Sequence, residues 1–128
     1  MGEDSKLKFD NKREMDAAAL SQAAYVLDQA RQNVDDSEAC EKALTYNQLL
    51  WSIIQADVSE ETNKLPDELK ANLMSLSIFV DKQTTKGLGE PTEEIFDSLI
   101  NINIQIAEGL LEGESNLSRN YLVFILNI

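Results

Sequence analysis

The side chains that could do chemistry in this sequence are 23 aspartates and glutamates and one cysteine, Cys40, with no histidine anywhere. Without imidazole, neither a Ser-His-Asp arrangement nor a Cys-His pair can be assembled, and the usual zinc ligand sets are out of reach. The carboxylate pairs Asp35-Asp36, Glu60-Glu61 and Glu93-Glu94 are adjacent in sequence and fall in loops or at expected helix starts. There they serve as solvated caps more readily than as acid and base. Asp35-Asp36 lacks the twelve-residue ligand spacing of a calcium loop, and no glycine-rich phosphate loop occurs. The reading is therefore of a protein that is not an enzyme, with no catalytic residue, no cofactor and no metal.

Charge narrows the partners. The formal net charge is −12, and no dense Lys/Arg stretch exists to displace counterions from a phosphate backbone or to sit on an anionic bilayer. Neither direct nucleic-acid binding nor membrane binding is expected. A single cysteine gives no intrachain disulfide. Residues 1–10 lack the apolar core of a signal peptide, and no apolar run approaches the ~20 residues of a spanning helix. These features predict a cytoplasmic location.

The elements that must position any functional surface are helical. Apolar residues recur at steps of three and four in stretches of about 11–33, 36–58, 66–86 and 92–112, which predicts an all-α bundle of four main helices. Residues 1–10 are expected to be a flexible N-terminus, with the bundle covering 11–113. Asn11 with Glu14, and Asp35 with Glu38, have the capping-box spacing that would start the first two helices. Pro66, followed by Asp67 and Glu68, starts the third, and Thr92 the fourth. Gly87-Leu88-Gly89 should break the third helix. Trp51 is expected to anchor the core; the rival reading is an exposed edge at a binding surface, since a buried indole N–H needs a partner.

Helix four carries more apolar surface than a one-sided helix needs. Its apolar residues, from Ile95 to Leu111, span an arc of roughly 200°. Leaving Ile100, Ile104 and Leu111 in water would forgo about 1.5–3 kcal/mol each, against a net domain stability of about 5–15 kcal/mol. A fifth segment, a second copy of the chain or a client polypeptide must cover that face. Residues 114–128 supply a candidate segment: Tyr121-Leu122-Val123-Phe124-Ile125-Leu126 is an uncharged apolar run that would aggregate if left exposed. It is read as a short helix beyond a Gly113-Glu114-Ser115 hinge, packed on the bundle or lodged in its binding groove.

The order of several short stretches resembles the FlaF family of flagellar biosynthesis regulators. They are Arg13-Glu14-Met15-Asp16, Leu49-Leu50-Trp51, Asn63-Lys64-Leu65-Pro66-Asp67-Glu68-Leu69, the stretch from Ser75 to Val80, Leu99-Ile100-Asn101-Ile102-Asn103 and Ala107-Glu108-Gly109-Leu110. The likeness runs from 13 to 111; residues 1–10 and the apolar tail lie outside it. The resemblance implies a cytoplasmic protein needed for flagellin synthesis and flagellum assembly, working alongside a second regulator, FlbT, and binding flagellin as a secretion chaperone before export. Flagellin's amphipathic terminal segments would pack helix-in-groove, and the tail could mimic one of them. On that reading Ile100, Asn103, Ile104, Ala107 and Leu111, together with Trp51, form the protein-binding surface, while Leu99, Ile102 and Ile106 face inward. The alternatives are a homodimeric structural adaptor paired through helix four and a post-transcriptional regulator of flagellin expression acting with FlbT.

Overall fold

The computed structural model of the chain describes residues 2–112, with side chains from 12 to 111. Four helices account for it: α1 (Gly2–Arg31), α2 (Ser37–Val58), α3 (Asp67–Gly89) and α4 (Glu93–Glu112), with no strand among the described residues. The expected all-α bundle is present. The tail, including the hinge at 113–115 and the short helix expected within 114–128, lies outside the described residues.

Three boundaries differ from the sequence reading. α1 starts at Gly2, so Asn11 is interior to the helix rather than its cap, and residues 2–10 belong to the helix. Those residues lack an amphipathic stripe, but they contain no proline and include the helix formers Glu3, Lys6, Leu7 and Lys8, and continuity needs no more than that. At α2 the cap is Asp36, whose Oδ1 accepts from the Ala39 N–H at 3.1 Å, and not Asp35. α3 runs through Gly87 to Gly89. Gly87 does not break it, because a helix tolerates glycine at a cost of about 1 kcal/mol, and this one meets Leu44 and Ile95, where a Cβ would come within 3.0 and 3.2 Å. Thr92 does cap α4, its hydroxyl accepting from the Ile95 N–H at 3.3 Å.

Each helix packs against two neighbours. α1 and α3 both lie between α2 and α4, so α1 faces α3, and α2 faces α4, across the diagonals; the α1–α4 pairing is the most extensive. Polar contacts mark an antiparallel register. Lys12 Nζ lies 2.7 Å from Asp57 Oδ1 at one end of the α1–α2 seam, and the Cys40 thiol sits 3.9 Å from the Ala30 carbonyl at the other. Arg31 bridges Asp28 and Asp97, joining α1 to α4, and Gln83 Nε2 donates to Ser98 Oγ at 2.9 Å between α3 and α4.

The core is continuous across all four helices, with Leu20, Leu27, Leu44, Val80, Phe96, Leu99 and Ile102 fully enclosed. Buried Ala17, Ala23, Ala24 and Ala30 give α1 a smooth inner face. A smooth face lets α4 approach closely along its length, so α1 covers much of the wide apolar arc of α4.

Candidate protein-binding surface

α4 places the sequence-predicted residues unevenly. Leu99, Ile102 and Ile106 face inward as expected, but Ile100, Asn103 and Ala107 are buried too, and only Ile104 (40% exposed) and Leu111 (63%) reach solvent. The physical reason is the pairing just described. α1 takes one flank of the arc and α3 the other, so most of the surplus apolar surface is core rather than a second free face.

Trp51 is buried, as expected of a core anchor, and not the exposed edge of the rival reading or an open part of the protein-binding surface. Its indole N–H finds its partner inside the bundle: Nε1 donates to Asn103 Oδ1 at 2.9 Å, and Asn103 Nδ2 donates to Asn47 Oδ1 at 2.7 Å. Asn103 is thus held in the core by its hydrogen bonds, not presented to a client. Of the six residues named for binding, Trp51, Ile100, Asn103 and Ala107 could meet a partner only if the bundle opened.

A different surface stands out. On α2, Leu49 (62%), Ile53 (57%) and Tyr46 (43%) are exposed, and on α1 so is Met15 (71%). Spacings of three and four put Tyr46, Leu49 and Ile53 in one stripe of α2. At about 100° per residue, that stripe lies on the side of α2 that carries Asp57, and Asp57 faces α1 through Lys12. The antiparallel register brings Met15, three residues along from Lys12, level with Ile53 and Ile54. Half-buried Leu50 and Val26 pack on the core along the same seam. The result is an apolar strip along the outer α1–α2 seam, closed at one end by the Lys12–Asp57 pair.

The electrostatics at that end are those of a partly dehydrated ion cluster. The hydrogen bond to Asp57 pushes the Lys12 ammonium above its ordinary value. Burial pushes Asp16 up, against the pull of nearby Lys12. Elsewhere, the hydrogen bond to Asp97 raises the Arg31 guanidinium, and burial, with Asp36 and Asp35 adding to it, raises the Cys40 thiol. A thiol raised in this way carries less of the nucleophilic thiolate at neutral pH. Among the described residues, no group of three or more Cys, Asp or Glu side chains could hold a metal ion, and no helix is long and apolar enough to cross a membrane. A cleft lined by Ser37, Cys40, Glu41, Gly87, Leu88 and Pro91 brings together no convergent polar set.

The sequence reading passed over the α2 stripe although its signal was there. Tyr46, Leu49 and Ile53 form a second set at helical spacing, rotated by about 135° from the core set Asn47, Trp51, Ile54 and Val58.

Comparison with known proteins gives one match. The sequence profile of a family described as flagellar protein FlaF matches residues 3–110. That span starts ten residues before the motifs legible by eye and takes in the first turns of α1. No curated protein matches, nor does any solved structure.

Proposed function

The chain belongs to the FlaF family of flagellar proteins, and from that premise we propose that it is a non-enzymatic, cytoplasmic chaperone that binds flagellin before export. Family membership gives it a role in flagellar biogenesis. The observation that carries the finer reading is the exposed apolar strip of Met15, Tyr46, Leu49 and Ile53. Contiguous apolar surface on an otherwise charged protein marks a site of interaction. Side chains of this size gain about 1.5–3 kcal/mol each on full burial, so four that are about half exposed supply a useful fraction of a micromolar affinity, near −8 kcal/mol. The strip runs along one side of α2 beside α1, and an amphipathic helix packs on such an apolar surface with anchors at i, i+3, i+4 and i+7. Flagellin's terminal segments have that character before assembly.

The exposed edge of α4, Ile104 and Leu111, is the part of the sequence-predicted face still open to a client. FlbT is the expected second partner. Its binding to this protein, to flagellin or to both would account for a regulatory role without contact with message.

Titration calorimetry with full-length flagellin and with versions lacking either terminus tests this reading. Leu49→Asp and Ile53→Asp should keep helicity and weaken binding by about tenfold or more, which is about 1.4 kcal/mol. Ile104→Asp should weaken it only if α4 takes part. Wild-type affinity in both α2 variants would remove the seam as the site. A concentration-dependent dimer in light scattering, lost in the same variants, would give the surface to a second copy instead.

A further inference from the structure

We infer that Met15 is an oxidation site, and that its conversion to the sulfoxide by peroxide switches the α1–α2 strip from holding a client to releasing it. This rests on the assignment of the strip to flagellin and adds a regulation of that same surface. It starts from which sulfur an oxidant can reach. The sequence has three methionines and one cysteine, and of these Met15, Cys40 and Met74 are among the described side chains. Met15 is 71% exposed, more than any other large apolar residue among them.

The other two sulfurs are sheltered. Met74 packs half-buried against the core, and its Sδ accepts from Ser59 Oγ at 3.7 Å. The Cys40 thiol is enclosed, facing the carbonyls of Val34 at 3.6 Å and Ala30 at 3.9 Å. Burial, with Asp36 and Asp35 adding to it, holds that thiol above its ordinary value, so little of the reactive thiolate forms at neutral pH. Oxidation of cysteine runs through the thiolate. A thioether needs no deprotonation, which leaves Met15 as the open target.

The step balances with peroxide alone. The Sδ lone pair of Met15 attacks one oxygen of hydrogen peroxide, the O–O bond breaks, and the proton on the transferred oxygen passes to the departing hydroxide. Sulfur gains one oxygen and loses two electrons, and the peroxide is reduced to one water. Hydrogen peroxide is uncharged, so the net charge of −12 does not repel it, as it would an anionic oxidant.

The place of Met15 makes that step a change in binding. It stands level with Ile53, between the apolar side chains of α2 and the Lys12–Asp57 pair. As a thioether it offers a flexible apolar surface that adapts to a partner. The sulfoxide oxygen is a strong acceptor that has to keep its water or meet a donor, and the apolar stripe of an amphipathic client offers none, so covering it is penalised. Methionine sulfoxide reductases, one for each sulfoxide epimer, reverse the change, and an exposed side chain is as open to them as to peroxide.

The test treats the full chain with hydrogen peroxide, removes the oxidant and then titrates flagellin. Peptide mass spectrometry should find one added oxygen at Met15 ahead of Met74, with Cys40 unmodified. The oxidised protein should bind flagellin about tenfold more weakly, which is about 1.4 kcal/mol, with circular dichroism unchanged, and the reductases should restore the affinity. Met15→Leu should bind like wild type and keep its affinity through the same treatment, whereas Met15→Gln, similar in length but polar, should bind weakly without it. If oxidised wild type binds as well as reduced while Leu49→Asp and Ile53→Asp bind weakly, the inference is overturned and the strip remains the client site. Full affinity in those two variants would remove the strip, and the inference with it. Oxidation of Cys40 or Met74 before Met15, or an equal loss of affinity in peroxide-treated Met15→Leu, would also overturn it.

Discussion

The indole Nε1 of Trp51 donates to the side-chain carbonyl of Asn103 at 2.9 Å, tying α2 to α4 across a diagonal where their backbones do not otherwise approach. The link continues from Asn103 Nδ2 to Asn47 Oδ1, while Asn47 Nδ2, also buried, has no hydrogen-bond partner among the described residues. Two stretches that separately resemble the FlaF pattern, Leu49-Leu50-Trp51 and Leu99-Ile100-Asn101-Ile102-Asn103, thus meet at one buried bond. An apolar core can slide by a turn at small cost; a buried donor and acceptor that must find each other oppose that.

Replacing Asn103 with Leu orphans the Trp51 N–H and the Asn47 carbonyl together. An unpartnered buried group costs about 1–3 kcal/mol, so Asn103→Leu should lower the urea midpoint by an amount equivalent to at least about 1 kcal/mol, at unchanged slope. Adding Trp51→Phe removes one orphan and should recover part of the loss. A midpoint unchanged in Asn103→Leu would mean that the bond contributes nothing net.

How much was legible in the sequence follows from what each signal measures. Helical periodicity reports which residues avoid water, and it placed α2, α3 and α4 within a few residues while assigning Leu99, Ile102 and Ile106 inward. It cannot say what covers a second apolar face, so Ile100 and Ala107 read as client surface when the alanine face of α1 covers them. Asn103 was misplaced for a related reason. A polar residue on an apolar arc looks like a surface contact until its partner, half the chain away at Trp51, is known. Tyr46, Leu49 and Ile53 were missed because the stronger core stripe of α2 drew the reading. The family was legible because it rests on the order of short motifs rather than on packing.

The two glycines near the end of α3 should respond oppositely to alanine. At Gly87 a Cβ would meet Leu44 Cδ1 at 3.0 Å and Ile95 Cγ2 at 3.2 Å, while at Gly89 nothing lies within 4 Å. Alanine gains about 1 kcal/mol of helix propensity at a helical site, but overpacking costs about 1–3 kcal/mol. Gly87→Ala should therefore lower the thermal midpoint or at best leave it unchanged, and Gly89→Ala should raise it slightly. A clear rise for Gly87→Ala would show that Leu44 moves aside freely.

The two aspartates before α2 should separate in the same way. Asp36 caps the helix through the Ala39 N–H, so Asp36→Ala should cost about 1 kcal/mol of unfolding free energy. Asp35 is exposed and does not cap, so Asp35→Ala should fall within about 0.5 kcal/mol of wild type. Equal losses would point to a charge effect at the helix N-terminus rather than to the cap bond.

Asp16 gives a prediction with a defined pH dependence. Burial holds its carboxyl above the ordinary value despite the attraction of Lys12, so the folded protein binds this proton more tightly than the unfolded chain does. Its contribution to stability is then fully present below the unfolded value, about 3.9, and is lost as pH rises through the higher folded value. Asn at this position mimics the protonated acid. Asp16→Asn should therefore raise the melting temperature at neutral pH, and the gain should shrink towards zero below about pH 3.9, where wild-type Asp16 is neutral in both states. Calorimetric melts of the two proteins at pH 7 and in acid check it. A lower midpoint for Asp16→Asn at neutral pH would show that attraction to Lys12 outweighs burial and would reverse the sign.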